Sequence, residues 1–356
     1  MRSLNLNYLE SIRLSTSQAS TLKKIGEFQG KQALFARQTP EILQSLKQLA
    51  QVESSESSNR IEGVTAPPHR VKALVLDATK PQNRSEQEIA GYRDALELIH
   101  ESAEYMAFSI PTVRQMHSLM YRYLPDEAGQ WKHKDNEIVE IHPDGTRDIR
   151  FVPVLAAETA ESMETFVRNY ARAIDQEHIE PLVVIPLTIL DFLCVHPFRD
   201  GNGRVSRLVT LLLLYHFDYQ VGRYISLERI VEESKTTYYE ALKRSSQRWH
   251  EGEHDPYPWM NYFWGVLLRA YREFEQRVGE IRTTKISKTE QIRMAVDRRV
   301  GPFAISDIER ECPHISRDMI KLVLRDLRDQ GVIVGQGKGR GAKWIRNAQS
   351  RIKNQT

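Results

Sequence analysis

Along most of its length the chain alternates apolar and polar positions with a helical period. Ser85-Glu86-Gln87-Glu88 has the form of a capping box, and Ile89, Tyr92, Leu96 and Ile99 follow it at helical spacing. Met163, Phe166, Val167, Tyr170 and Ile174 make a second apolar stripe; Trp259, Tyr262, Phe263, Val266 and Leu267 make a third. Stripes of this width bury one helix face against a core, so all three predict scaffold. One segment breaks the pattern. Glu137 to Ile141 and Ile149 to Val154 are β-prone runs joined through His142-Pro143-Asp144-Gly145-Thr146. Pro-Asp-Gly supplies a fixed φ, a side chain that bonds its own backbone and a residue that tolerates positive φ, which predicts a β-hairpin. The fold class expected is mainly α, with this hairpin set into a helical body.

Beyond Glu280 the pattern changes. Ile281-Arg282-Thr283-Thr284-Lys285 reads as a polar linker, followed by helical patterns over Lys285 to Val300, Ile305 to Cys312 and Ser316 to Gln330. The third opens on a plausible N-cap, Ser316, and sets Met319, Ile320, Val323, Leu324 and Leu327 on one face and Arg317, Lys321, Arg325 and Arg328 on others. Val332 to Val334, the run Gly335-Gln336-Gly337-Lys338-Gly339-Arg340-Gly341, and Lys343-Trp344-Ile345 read as strand, basic turn and strand. This order resembles a winged helix-turn-helix domain. Its glycine-rich tip lacks the strand-loop-helix context and the Lys-Ser/Thr ending of a phosphate-binding P-loop.

Charge sharpens the division. The 356 residues carry a net +3, but Ile281 to Thr356 holds 17 basic against 8 acidic side chains, a net of +9. The remainder, with 33 basic and 39 acidic, is −6. A basic appendage on a mildly acidic body suits DNA phosphates, although winged helices also bind proteins. With 40% hydrophobic residues the chain is too apolar for disorder. Two cysteines, Cys194 and Cys312, exclude a disulfide framework and read as small core residues in a reducing compartment. Met1 to Thr16 shows no basic stretch followed by an apolar run, so no signal peptide is expected. The most apolar segment, Pro181 to Val195, is broken by prolines and Asp191 and is too short to span a bilayer. The expectation is a cytoplasmic protein without a membrane partner.

The chemistry concentrates in His196-Pro197-Phe198-Arg199-Asp200-Gly201-Asn202-Gly203-Arg204-Val205-Ser206-Arg207, between two apolar helical patterns. Gly201-Asn202-Gly203 makes a tight loop opening a helix, whose free N–H groups and positive dipole end form an anion site. Arg204 and Arg207, three apart, are expected to face that site with guanidinium forks suited to phosphate oxygens. Asp200 is the oxygen ligand that Mg²⁺ prefers beside phosphates. His196 titrates near neutrality and can serve as a general base. Each residue alone has a structural explanation; the set of twelve predicts a Mg-nucleotide phosphate site.

This run resembles the signature of the Fic (filamentation induced by cAMP) family, His-Pro-Phe-x-[Asp/Glu]-Gly-Asn-Gly-Arg-x-x-Arg, and agrees with it at every specified position. The resemblance covers about Ser85 to Ser246. It implies a Fic-type helical bundle with the hairpin as a flap, and transfer of AMP from ATP to a hydroxyl of a target protein, possible on Ser, Thr or Tyr and on the chain itself. It implies that His196 takes the hydroxyl proton, Asp200 holds Mg²⁺, Gly201, Asn202 and Gly203 surround the α-phosphate with Val205 and Ser206 in the same helix start, and Arg204 and Arg207 hold the outer phosphates. Phe198 is implied to pack inward. Glu137, Ile138 and Val139 fall where the flap pairs with the target's backbone, and Tyr238-Tyr239 where the adenine lies.

Upstream, Ser54 to Gly63 reads as a polar helix ending at Gly63, for which a solvated surface helix is the bland explanation. Ser58-Asn59-Arg60-Ile61-Glu62-Gly63 is similar to the Fic inhibitory motif, which implies that Glu62 pairs with Arg207 and misplaces ATP; the same glutamate is implied to allow removal of AMP. The domains expected are 1–84 with an inhibitory helix at about 54–63, a catalytic domain over 85–280 and a winged helix over 285–347. A nucleotide-sensing DNA-binding regulator is the alternative, and a homodimer is left open.

Overall fold

The computed structural model describes residues 2–346 except 39, 125–127, 142–144, 177, 286–287, 298, 300, 313–314 and 338–342. The chain divides into two compact units, one up to Glu275 and one from Gln276 onward. The first holds α1 (Leu6–Ser11), α2 (Thr16–Gln38), α3 (Pro40–Ile61), α4 (Pro68–Leu76), α5 (Arg84–Ser102), α6 (Ile110–Met120), β1 (Ile138–Ile141), β2 (Arg147–Phe151), α7 (Thr159–Ile174), α8 (Pro181–Val195), α9 (Asn202–His216), α10 (Leu227–Glu233) and α11 (Lys235–Ser246). The division falls within α12 (Tyr257–Lys285). The stretch Ile281 to Lys285, expected as a linker, is therefore helical: it contains neither Pro nor Gly to stop the helix. The second unit continues with α13 (Lys288–Asp297), α14 (Ile305–Glu311), α15 (Arg317–Asp329), β3 (Ile333–Gln336) and β4 (Lys343–Arg346).

Helix α8 is the centre of the first unit. Every residue from Leu182 to Val195 is buried, as an all-round apolar helix requires. Helices α7 and α9 pack against it, and α5 packs against α3, α6 and α9. The apolar stripes lie in this core: Ile89, Tyr92, Leu96 and Ile99 are buried, as are Met163, Phe166 and Tyr170. Ile174, at the end of its stripe, is instead 40% exposed. No helix among the described residues is long and apolar enough to cross a membrane.

Two local expectations are corrected. The cap of α5 is not Ser85 but Asn83, whose side chain accepts from Glu86 N at 3.0 Å, which frees Glu88 for a long-range partner. The polar end of α3 is not solvated: Ser54, Ser55, Ser57, Ser58 and Asn59 are all at most 4% exposed. Small polar side chains let this helix approach its neighbours closely, and those of Ser54, Ser58 and Asn59 are bonded there. Ser54 Oγ donates to Glu228 at 2.7 Å, and Asn59 Nδ2 donates to Ser55 O at 2.8 Å.

The hairpin pairs Val139 with Ile149 and Ile141 with Arg147, antiparallel, with a register shift between Ile138 and Val139. The strands are shorter than expected, stopping before Val152, and the turn residues His142 to Asp144 lie outside the described set. In the second unit, α13 to α15 enclose Ile292, Val296, Phe303, Ile308, Ile320, Val323, Leu324, Leu327 and Ile333. Strands β3 and β4 pair antiparallel, and Phe303 exchanges both backbone hydrogen bonds with Trp344 at 2.8 Å. That bridge adds a strand position that Phe303, an isolated apolar residue after Gly-Pro, did not reveal. Residues 338–342 of the basic turn lie outside the described set.

Candidate active site

His196 ends α8 in the left-handed conformation, φ 50° and ψ 60°, a conformation that costs a residue with a Cβ roughly 1–2 kcal/mol. Pro197 then prevents the helix from continuing. His196 Nδ1 lies 3.2 Å from Leu193 O. A carbonyl can only accept, so Nδ1 carries the proton and Nε2 keeps a lone pair. Burial, opposed by the Leu193 hydrogen bond and reinforced by Lys132, pushes the imidazole pKa down to about 4. The ring is neutral at physiological pH, the state a proton acceptor needs. Because a lowered pKa keeps the base deprotonated further into acid, a reaction using His196 should be flat through pH 6.5. It should weaken only as pH nears 4, and a rate profile between pH 5.5 and 8 checks this; an acid limb centred near 6.5 contradicts it.

The loop after His196 is anchored from inside. Phe198 is fully buried and stacks on His117 with centroids 3.9 Å apart. Asn202 clamps the loop reciprocally: its Oδ1 accepts from Phe198 N at 2.9 Å and its Nδ2 donates to Phe198 O at 2.8 Å. Lys132 N donates to Pro197 O at 2.8 Å and its Nζ to Val195 O at 3.2 Å, while Asn136 Nδ2 donates to Phe198 O at 3.2 Å. Phe198→Ala should cost about 3–5 kcal/mol of stability, read as a fall in Tm.

Helix α9 starts at Asn202 after Gly201, whose φ is +77° and which makes no side-chain cap. The N–H groups of Asn202, Gly203 and Arg204 therefore have no acceptor within the helix, and the dipole favours an anion there. Glu62 lies beside Gly203 in this first turn. A Cβ on Gly203 would sit 2.4 Å from Glu62 Oε1, so only glycine permits this approach. The carboxylate gets there because α3 ends in a Schellman turn: Val64 N donates to Asn59 O and Gly63 N to Arg60 O, both at 3.0 Å, with Gly63 at φ +84°. Arg207 Nη2 donates to Glu62 Oε1 at 2.8 Å and to Ser58 O at 2.9 Å, and its Nε to Ser58 Oγ at 2.8 Å. Burial works against the Arg207 charge, but Glu62 together with Tyr238 and Tyr92 holds the guanidinium above its ordinary pKa.

A cavity of about 770 Å³ opens from this point. His196, Asp200, Gly201, Asn202, Gly203 and Glu62 line it, as do Glu137, Ile138 and Val139 of the hairpin and Tyr238 and Tyr239 of α11. The structure thus brings most of the expected residues to one space. Three differ. Val205 is fully buried and its N–H is used on Gly201 O at 2.9 Å; Ser206 Oγ donates to Gly203 O at 2.7 Å. Neither lines the cavity. Arg204, expected to share a phosphate site with Arg207, is turned into the protein: Nη1 donates to Glu88 at 2.6 Å and Asn59 at 3.1 Å, and Nη2 to Tyr121 OH at 3.1 Å. Buried Glu88 captures it. No local spacing signals that pairing, nor the parts of Lys132, Asn136 and Arg150, the last of which lines the cavity over the Tyr239 ring at 5.1 Å.

The arrangement fits a polyphosphate. Arg207 Nη1 is buried without a hydrogen-bond partner, and the bare Gly203 admits an anionic oxygen to the helix start. Asp200 stays ionised: burial raises its pKa, but Arg204 and the Gly201 N–H bring it below the ordinary value. Among the described residues no group of three or more His, Cys, Asp or Glu could cage a metal, so Asp200 fits a cation shared with phosphates, as Mg²⁺ usually is.

Residues 107–214 match the Fic/DOC family model. That stretch is similar to a Fic/DOC family domain. It contains the run from His196 to Arg207, α8 and nearly all of α9. A Fic family protein from Desulfovibrio desulfuricans G20 is 18% identical with a TM-score of 0.61, the match covering 95% of this chain and 98% of that one. A Fic domain containing signaling protein from Bacteroides thetaiotaomicron VPI-5482 is 21% identical with a TM-score of 0.61, covering 72% of this chain and 97% of that one. Fic-1 from C. elegans is 19% identical with a TM-score of 0.54, covering 73% and 71%. At these identities the likeness is one of fold: a mainly helical Fic fold.

Proposed function

We propose that this chain is a protein adenylyltransferase that moves AMP from ATP to a Ser, Thr or Tyr hydroxyl of a target protein, restrained by its own Glu62. The observation that carries this reading is the Glu62 carboxylate lodged against Gly203 and bonded to Arg207. It is an anion held by the groups that a phosphate would use, which makes it a competitor for the nucleotide. With Glu62 withdrawn, the N–H groups opening α9 and Arg207 receive the phosphates. Asp200 holds Mg²⁺, which when bound neutralises phosphate charge. The target oxygen forms a bond to the α-phosphorus as the bond to diphosphate breaks, and the hydroxyl proton passes to His196 Nε2. Positioning and charge stabilisation carry such a transfer. Both strands of the hairpin are edge strands, which supports pairing of β1 with an extended target segment. The same site would remove AMP if Glu62 directs a water.

Intact-mass analysis of the Glu62→Gly protein with each Mg-NTP tests the reading. A gain of one AMP with ATP is expected; an unchanged mass with ATP, or a gain from another nucleotide, overturns it.

For the second unit we propose a winged-helix module for placement on DNA. Residues 338–356 hold six Lys or Arg and no Asp or Glu, which suits phosphates. A DNA-binding regulator that merely senses nucleotide has less support. A sensor needs no base such as His196.

A further inference from the structure

Asp200 is held by more groups than a simple exposed carboxylate needs. Its side chain is 71% exposed, yet Tyr121 OH donates to Oδ2 at 2.9 Å and Gly201 N donates to Oδ1 at 2.7 Å. Its main-chain carbonyl accepts from His117 Nε2 at 3.2 Å. The direction of that bond is fixed, because His117 Nδ1 accepts from Gly129 N at 2.8 Å, leaving the ring proton on Nε2. His117 lies in the last turn of α6 and Tyr121 is its C-cap; both meet Asp200 from that end of the helix, and their rings stack at 4.6 Å.

The tyrosine proton is directed as well. Arg204 Nη2 donates to Tyr121 OH at 3.1 Å. A guanidinium only donates, so the phenol oxygen accepts there and its single proton is committed to Asp200. Arg204 is itself fixed by Glu88 and by Asn59 of α3. Tyr121 also lies against the loop: a Cβ on Gly201 would be 3.0 Å from its Cε2 and OH.

We infer that Tyr121 is a positioning residue for Asp200, aiming the carboxylate at a divalent cation, and that Arg204 serves this by orienting the Tyr121 hydroxyl instead of binding phosphate. The inference rests on the Mg-nucleotide reading of the site. An outer hydrogen bond of this kind restrains a ligand's rotation and governs how tightly the metal is held. Tyr121 therefore acts on the cation and leaves the phosphate-binding N–H groups and Arg207 untouched. Because Asn59 belongs to the helix that leads into Glu62, one chain of hydrogen bonds runs from α3 through Arg204 and Tyr121 to Asp200.

The test measures nucleotide binding, not turnover. In a Glu62→Gly background, the Kd of a non-hydrolysable ATP analogue is measured by calorimetry with Mg²⁺ and with EDTA, before and after adding Tyr121→Phe. The phenylalanine keeps the ring that stacks on His117 and removes only the hydroxyl. The expected result is an unchanged Kd in EDTA and a loss of about 10-fold or more in the tightening produced by Mg²⁺. Undiminished tightening by Mg²⁺ overturns the inference. So does loss of binding in both conditions, which would make Tyr121 a residue of the fold alone. If the Glu62→Gly parent itself binds no nucleotide with or without Mg²⁺, it is the nucleotide reading of the site that falls.

Discussion

Glu62→Gly should raise AMP incorporation about 10- to 100-fold over the wild type, measured with labelled ATP under equal conditions. Glu62 Oε1 accepts a charged hydrogen bond from Arg207 at 2.8 Å, and a bond to a charged group contributes about 1.5–3 kcal/mol net. A phosphate must displace that contact before it can be received, and removing the carboxylate lifts the competition. The substitution is local in its effect on the fold. Glu62 lies just beyond the last residue of α3, Ile61, where glycine does not interrupt the helix. The helix end is also held independently, by Lys235 Nζ donating to Ile61 O at 2.6 Å and by the Arg60–Glu232 ion pair at 3.1 Å. Equal incorporation by the two proteins would show that Glu62 is not a brake.

The second large effect concerns His196. In the Glu62→Gly background, His196→Asn should lower transfer by about 10²–10⁴-fold, the usual contribution of a general base, while nucleotide affinity stays as it was. The groups that would hold the nucleotide are the start of α9, Arg207 and the tyrosines of α11, none of which depends on the imidazole. Asparagine is the appropriate replacement because His196 sits at φ 50°, a conformation that Asn adopts more readily than Ala. Its side chain has no basic nitrogen. Transfer at the parental rate, or loss of nucleotide binding together with transfer, contradicts the role assigned to His196.

Much of the fold was legible because its causes are local. The stripes of Tyr92, Phe166 and Trp259 need only the helical period to be recognised, and Pro-Asp-Gly between two β-prone runs needs only turn chemistry. The burial of the polar end of α3 was not legible, for the opposite reason. Serine and asparagine at helical spacing look solvated when their partners, Arg204, Arg207 and Glu228, are more than 140 residues away. The capping-box reading of Glu88 failed in the same way: Asn83 supplies a cap by its own side chain, and the buried charge of Arg204 claims Glu88 instead.

The run from His196 to Arg207 determines by itself a base, a loop closed by glycines, a carboxylate beside it and a helix start that attracts anions, since all of these follow from residue type and spacing over twelve positions. Which of its two arginines reaches the carboxylate at the start of α9 was not determined there. Side chains three apart on a helix share a face, and only the neighbours packed on that face decide where each one goes. Glu88 and Tyr121 turn Arg204 inward; Ser58 and Glu62 hold Arg207 at the mouth of the anion site. Pairing between residues distant in the chain depends on how α3, α5 and α6 surround α9, and that arrangement exists only in the folded protein.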